Sequence, residues 1–175
     1  KQGSPVATQI GNTAILSLGS IAKMYDSKIN NEDTDKAEKI KQLIKTDLAA
    51  YNNLSTTAAL LHAAGNTGSK EFIKPISEFL QDSNPRLRSS AVAALINIKD
   101  SSINDILADK ALTENNSGVK SIIIDSLRKI DVSTDTIVKI IKEIPNENNE
   151  IVRGQMYQFL LKNRNAPGVK EALSL

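Results

Sequence analysis

The chain has 175 residues, of which 40% are hydrophobic, only 3% are aromatic and none is cysteine, so disulfides and thiolate metal sites are excluded. Its formal net charge of +2 is too small to favour nucleic acid as a partner, and no apolar run approaches the roughly 18 residues that a membrane span needs. A core with so few rings must be built from Ile, Leu, Val and Ala, which suits closely packed helices.

The first two predicted helices form an antiparallel pair. Apolar residues recur every three or four positions over 6–26 and again over 35–51, and the polar stretch 28–35 is predicted to be the loop between them. Gly11 and Gly19 each weaken a helix by about 1 kcal/mol relative to Ala. These glycines therefore indicate either close approach of a neighbouring helix or a break near Gly11.

The next pair spans residues 54–64 and 70–80. Gly65, Asn66 and Gly68 are predicted to stop the first of these helices. Pro75 fits the second helix if that helix begins near residue 71, because the N–H groups of a first turn have no intrahelical partner.

Three further helix pairs follow in the C-terminal half. Asn84 and Pro85 are a cap and a first helical residue, and they open the clearest amphipathic stretch of the chain. The predicted pairs are 84–98 with 102–112, 116–130 with 134–144, and 150–162 with 167–173.

The pattern of apolar residues in these helix pairs recurs along the sequence at a nearly constant interval. Leu61, Leu95, Leu127 and Leu160 recur at intervals of 34, 32 and 33 residues in the same helical frame. Two helices per period and no strand signal predict an all-α fold, an α-solenoid of about five stacked antiparallel helix pairs.

The stretches NPRLRSSAVAALINI, SGVKSIIIDSLRKI and NNEIVRGQMYQFLLKN resemble HEAT repeats, clearly over residues 54–164 and loosely over 6–51. The resemblance implies a single armadillo-like repeat domain over residues 1–175. It also implies a non-catalytic scaffold that binds a partner protein on the concave face formed by the second helices of the pairs.

A narrower resemblance concerns LSLGSIAKMY at 16–25 and LLHAAGNTGSKEFIKPISEFL at 60–80. These segments are similar to the helical region of lipid-transfer proteins of the vitellogenin type. The alternative that this resemblance implies is a module that handles a lipid or another apolar ligand, with a groove around Tyr51, Phe72 and Phe79.

The partner-binding residues are predicted among the polar positions of the second helices, with a solvated surface as the alternative. Their charge is mixed and leans basic. The predicted set is Lys70, Lys74, Asn104, Asp105, Lys139 and Lys142.

A second basic series recurs just inside the first helices, at Arg88, Lys120 and Arg153. Each residue is predicted to pair with a carboxylate or a helix-end carbonyl, and the alternative is a ladder that binds an anionic partner. Arg88→Ala is predicted to lower thermal stability.

Catalysis and cofactors are not predicted. His62 is the only histidine and has no second metal-ligating residue beside it in the pattern, so no metal site is expected. GNTGS at 65–69 joins two helices and is predicted to be a turn, with an anion site at the following helix start as the alternative. A DNA-repair or lyase-type enzyme is disfavoured by the absence of Trp, the weak net charge and the lack of a catalytic pair.

The sequence leaves the cellular compartment open, and its start, KQGSP without Met, indicates a processed or excised segment.

Overall fold

The computed structural model describes residues 5–28, 31–50 and 53–170. Within these ranges the fold is all-α and contains no β-strand, as the sequence predicts. Three short 3₁₀ segments, Lys70–Phe72, Phe79–Gln81 and Ile144–Asn146, flank the helices. The α-helices are α1 Pro5–Asp26, α2 Asn31–Ala50, α3 Leu54–Thr67, α4 Ile73–Glu78, α5 Pro85–Ile98, α6 Ser102–Thr113, α7 Ser117–Lys129, α8 Thr134–Glu143 and α9 Glu150–Lys162.

The chain forms two compact units, residues 1–99 and 100–175. In unit 1 the first helices of three successive pairs lie side by side, with α3 between α1 and α5, while α2 packs on α1 and α3 and α4 packs on α5. In unit 2, α7 packs on α9, and α6 contacts both α7 and α8. Successive helix pairs thus stack within each unit, which is the packing of an α-solenoid and confirms the predicted fold class.

The core is built from aliphatic side chains at the predicted stripe positions. Leu61, Leu95, Ile123 and Leu127 are fully buried, and so is Phe72. Burial of such side chains supplies most of the stabilisation, at roughly 25 cal/mol for each Å² of apolar surface removed from water.

Asparagine opens four of the helices. Asn53, Asn84, Asn116 and Asn149 precede α3, α5, α7 and α9, and the side-chain oxygen of each accepts a hydrogen bond from a backbone N–H of the first turn. Such a cap is worth about 1 kcal/mol relative to alanine. The predicted cap at Asn84 is therefore one copy of a device that recurs with the repeat.

The loop predicted at 28–35 is too long, because α2 already begins at Asn31. Glu32 and Asp33 lie in its first turn, where carboxylates interact favourably with the helix dipole, and both pair with Lys36. A polar stretch that had the composition of a loop is thus the start of a helix.

The predicted stop at Gly65 and Asn66 is also wrong, because α3 continues to Thr67 and ends at Gly68 with φ 71°. Gly65 serves packing instead: a Cβ there would lie 2.4 Å from the backbone oxygen of Ala94. Gly19 has the same role, since its Cβ would lie 2.0 Å from the backbone oxygen of Ala63. There is no break at Gly11, which lies inside α1.

Pro75 lies in the first turn of α4, as predicted, because a proline there removes no intrahelical hydrogen bond. The last predicted helix, 167–173, is seen only in part: residues 169 and 170 are helical, and 171–173 lie outside the described residues. The single repeat domain predicted over residues 1–175 stays a prediction.

Candidate functional site

The predicted site residues of unit 2 lie on α6 and α8, which pack side by side. Two side-chain contacts cross between these helices. Thr136 Oγ1 lies 3.3 Å from Asp105 Oδ1, and Lys139 Nζ lies 3.0 Å from Asp109 Oδ1. We call the exposed charges on these two helices the α6–α8 surface, which comprises Asp105, Asp109, Asp135, Lys139 and Lys142.

Lys139 is the centre of this surface. The hydrogen bond to Asp109 and the negative charges of Asp109, Asp105 and Asp135 raise the pKa of Lys139. The ammonium group stays charged throughout the physiological range, and three carboxylates surround it. Asp109 and Asp135 were not in the predicted set, and they make this part of the surface slightly acidic rather than basic.

Asn104 has a structural role. Its side chain is buried, and its amide Nδ2 donates a 3.0 Å hydrogen bond to the backbone oxygen of Asp131. The amide therefore ties α6 to the turn before α8, and we leave Asn104 out of the candidate site.

The predicted site residues of unit 1, Lys70 and Lys74, are both exposed. Lys70 lies in the 3₁₀ segment before α4, and Lys74 lies in the first turn of α4. They are separated by one helical turn, so both present positive charge beside the same short helix.

The recurring basic residues are used inside the fold. Arg88 Nη1 donates to the backbone oxygens of Asp82 and Ser83, at 2.9 and 3.1 Å, and Arg153 Nη1 donates to that of Glu147 at 2.8 Å. Lys120 Nζ instead pairs with the Glu147 carboxylate at 2.6 Å. These contacts with helix-end carbonyls and a carboxylate favour the structural role over the anion-binding ladder.

A carboxylate precedes each of these three basic residues by six positions, and the sequence reasoning missed it. Asp82, Glu114 and Glu147 each accept a hydrogen bond from the backbone N–H of the capping asparagine two residues later, at 2.7, 2.9 and 2.8 Å. The sequence contains this pattern three times: an acidic residue, any residue and an asparagine, followed by a basic residue four positions after the asparagine. We call this recurring segment the acid–Asn–base loop.

Glu147 is held both by its own loop and by the preceding first helix. Burial by itself would raise the pKa of Glu147, but hydrogen bonds from Lys120 and from the backbone N–H of Asn149 outweigh burial and hold the pKa below its ordinary value. The carboxylate is 9% exposed and joins the loop before α9 to α7. The role of this carboxylate is therefore structural.

The predicted alternatives gain little from the geometry. His62 is half-buried, and burial lowers the pKa of its imidazole, so it is neutral at pH 7. Phe72 is fully buried in the core and so does not line an open groove, while Tyr51 lies outside the described residues. GNTGS was predicted to be a turn, but Gly65 to Thr67 belong to α3. Only Gly68, in the left-handed conformation, and Ser69 connect α3 to the next segment.

Within residues 5–28, 31–50 and 53–170, no three His, Cys, Asp or Glu side chains are grouped closely enough to hold a metal ion. None of the helices in those ranges combines the length and the apolar character needed to cross a bilayer.

Residues 49–128 match the family model for HEAT repeats. This part of the all-α chain consists of HEAT-like helical repeats. The matched region contains α3 to α6 and ends within α7. Neither a curated protein nor a solved structure matches the chain significantly.

HEAT repeats typically mediate protein–protein interactions and are generally non-catalytic. Stacked helix pairs form extended surfaces that a partner can contact over several repeats, since each pair presents similar positions at a regular spacing. The family thus gives the general class of function, interaction with other proteins.

Proposed function

We propose that this protein with HEAT-like repeats is a non-catalytic scaffold that binds a partner protein through the second helices α4, α6 and α8 of its pairs. The main contact is the α6–α8 surface of unit 2. Lys70 and Lys74 are the corresponding candidates in unit 1. The observation that carries the proposal is the cluster of five exposed charges centred on Lys139.

These charges are not needed to hold the two helices together. The Lys139–Asp109 pair is exposed, with 43% and 67% of the two side chains accessible. Exposed ion pairs contribute about 0–1 kcal/mol to stability. The buried Ile137, Ile140 and Ile141 hold α8 in place instead. The charged groups are therefore available to pair with those of a partner.

The arrangement favours a partner segment with charges of both signs. Lys142 is exposed in the last turn of α8, whereas Asp105 and Asp135 present negative charge near Lys139. Complementary charges across an interface set its register and speed association. We expect binding that weakens as salt concentration rises, because exposed charges are screened within about 10 Å at 0.1 M salt.

Photo-crosslinking tests the proposal. A photoreactive amino acid is placed at Lys142 and, in a separate protein, at Lys45 on the exposed side of α2. Proteins crosslinked only from position 142 in an extract of the source cell are identified, produced in pure form, and titrated against the unmodified chain.

Two double variants then compare the surfaces. Lys139→Glu with Lys142→Glu is expected to weaken binding of the purified partner at least tenfold, a change of about 1.4 kcal/mol. Lys39→Glu with Lys45→Glu makes the same change in charge on α2 and is expected to leave binding unchanged. Equal binding by the two double variants would reject the α6–α8 surface. Stoichiometric lipid in native mass spectrometry, without a protein partner, would favour the lipid-handling alternative.

A further inference from the structure

The C-terminal ends of α1, α3 and α5 border a polar groove of about 330 Å³ in unit 1. We propose that this groove binds a phosphoserine in a segment of a partner protein. The site is separate from the α6–α8 surface and does not depend on it. Among the described residues, the side chains that line the groove are all polar, and they are Ser20, Lys23, Asn66, Asn97 and Lys99.

Contacts between the helices hold the floor of the groove. Asn97 Nδ2 on α5 donates a 3.1 Å hydrogen bond to Asn66 Oδ1 on α3. Gly19 and Gly65 directly precede Ser20 and Asn66, and each lies against the backbone of the neighbouring helix. Because α3 packs between α1 and α5, described helices flank the groove on both sides. The polar groups of the floor are therefore in place before a ligand binds, which lowers the entropy cost of binding.

The two cations of the groove keep their charge available. Within the part of the chain that the structure describes, neither Lys23 nor Lys99 makes an ion pair or a side-chain hydrogen bond. The acidic residues nearest to them in the sequence have other partners. Asp26 pairs with a lysine on α2 at 2.7 Å, and Asp100 accepts two hydrogen bonds from the first residue of α6. An anionic ligand is thus the natural complement of this groove.

A second basic groove, in unit 2, provides a contrast. It measures about 460 Å³ and is bordered by Arg128, Lys129, Lys162 and Arg164. Asp125 pairs with the first two of these cations, and the other two donate hydrogen bonds to backbone oxygens near the ends of α7 and α9. These cations are committed to contacts within the fold, so the groove of unit 1 is the better anion site.

The lining side chains define the ligand. A phosphoserine carries roughly two negative charges and three acceptor oxygens, which match two ammonium groups and the neutral donors of Ser20 and Asn66. Asn97 Oδ1 accepts no hydrogen bond from the described residues and can receive a backbone N–H of the ligand, which a free phosphate ion lacks. None of the described lining residues is aromatic or apolar, so the groove offers no surface for a nucleotide base or a lipid chain.

Lys99 allows binding to be separated from stability. Both lysines lie at helix C-termini, where a cation also interacts favourably with the helix dipole. Lys99 ends α5 with φ 57°, a conformation that glycine adopts more readily than lysine. Lys99→Gly therefore removes one cation of the groove without straining the backbone, and thermal unfolding is expected to show no loss of stability.

Two capped five-residue peptides are the probes: a central phosphoserine flanked by glycines, and the same peptide with aspartate in its place. Each is titrated into the ¹⁵N-labelled full chain while the side-chain amide signals of Asn66 and Asn97 are followed by NMR. Saturable shifts are expected with the phosphoserine peptide, and binding at least about tenfold weaker with the aspartate peptide. Lys23→Gln and Lys99→Gly are each expected to weaken phosphoserine binding by a similar factor.

Lys45→Gln is the matched control, because it removes an exposed positive charge from α2, and it is expected to leave binding unchanged. Four results would overturn the proposal: no saturable shift at the two asparagines, equal binding of the two peptides, larger shifts around Lys162 in the groove of unit 2, or equal weakening by Lys99→Gly and Lys45→Gln. Inorganic phosphate that binds as tightly as the phosphoserine peptide would show a site for the free ion and would also overturn it. None of these results bears on the α6–α8 surface, so the two proposals fail separately.

Discussion

At the scale of single residues, the acid–Asn–base loop links the starts of α5, α7 and α9 to their surroundings. The asparagine caps the helix, the acid receives the asparagine N–H, and the base holds the loop carbonyl or the acid of the next loop. Each group satisfies a polar atom that would otherwise be buried without a partner. The loops therefore contribute to stability through specific hydrogen bonds as well as through the packing that follows them.

Glu147→Gln is expected to lower the free energy of unfolding at pH 7 by about 1.5–3 kcal/mol, the usual worth of a hydrogen bond to a charged group. Because the pKa of Glu147 is lower in the folded protein than its ordinary value of 4.5, its stabilising effect is complete above pH 4.5 and is lost as pH falls further. Urea unfolding between pH 3 and 7 measures this effect.

Glu78→Gln is the control for this experiment, since Glu78 is exposed on α4. Its unfolding curves are expected to follow those of the wild type at every pH. A Glu147→Gln variant that matches Glu78→Gln at pH 7 would show that the Lys120–Glu147 pair contributes no net stability.

Arg88→Ala is expected to destabilise the protein by about 1.5–3 kcal/mol, because the backbone oxygens of Asp82 and Ser83 lose a charged donor. Arg86→Ala, two residues earlier on an exposed position, is expected to change stability by less than about 0.5 kcal/mol. Thermal unfolding of both variants decides between the two roles. If Arg88→Ala left stability unchanged but abolished partner binding, Arg88 would instead bind an anionic partner.

At the scale of helices, glycine sets how closely the first helices of unit 1 approach. Gly19 meets the backbone of Ala63, and Gly65 meets that of Ala94, so α1, α3 and α5 are in contact at their backbones. Sequence patterns treat glycine as a weak point or an end of a helix. Here the missing side chain is a requirement of the packing, and both helices continue through it.

Gly65→Ala is expected to cost about 1–3 kcal/mol, because its Cβ would overlap the Ala94 carbonyl group and force α3 and α5 apart. Gly11→Ala is expected to stabilise the protein by about 0.5–1 kcal/mol, because nothing lies within 4 Å of its Cβ and alanine favours the helix. Urea unfolding compares the two. Similar effects of both substitutions would contradict the packing role of Gly65.

At the scale of the whole molecule, the chain consists of two compact units, and the helices of each unit pack on their neighbours within it. Unit 1 contains α1 to α5 and unit 2 contains α6 to α9. Stability in repeat proteins is approximately the sum of contributions from repeats and from the interfaces between neighbours. Damage at one interface should therefore remain largely local.

Hydrogen exchange of the Gly65→Ala protein tests this expectation. Protection of backbone amides is expected to fall most in α3 and α5, which the substitution separates, and least in α9. The wild-type protein at the same temperature and pH is the reference. An equal loss of protection in α3 and α9 would show that the chain opens as one cooperative unit.

The sequence by itself determined the features that depend on local interactions. Helical spacing of aliphatic residues places the helices, Asn84 and Pro85 fix the start of α5, and the period of 32 to 34 residues predicts the stacked pairs. A helix stripe and a cap are each set within a few residues, so they can be identified without knowledge of the neighbours. Much of the fold is predictable for this reason.

Only the tertiary structure decided which groups meet across the helices. Gly65 was predicted to end a helix by its composition, but it lies inside α3, where the backbone of Ala94 leaves no room for a side chain. Asn104 was a candidate contact residue by its polarity, yet the turn before α8 binds its amide. Burial and pairing depend on neighbours that are distant in the sequence, 27 residues for Asn104 and Asp131, and the local pattern carries no information about them.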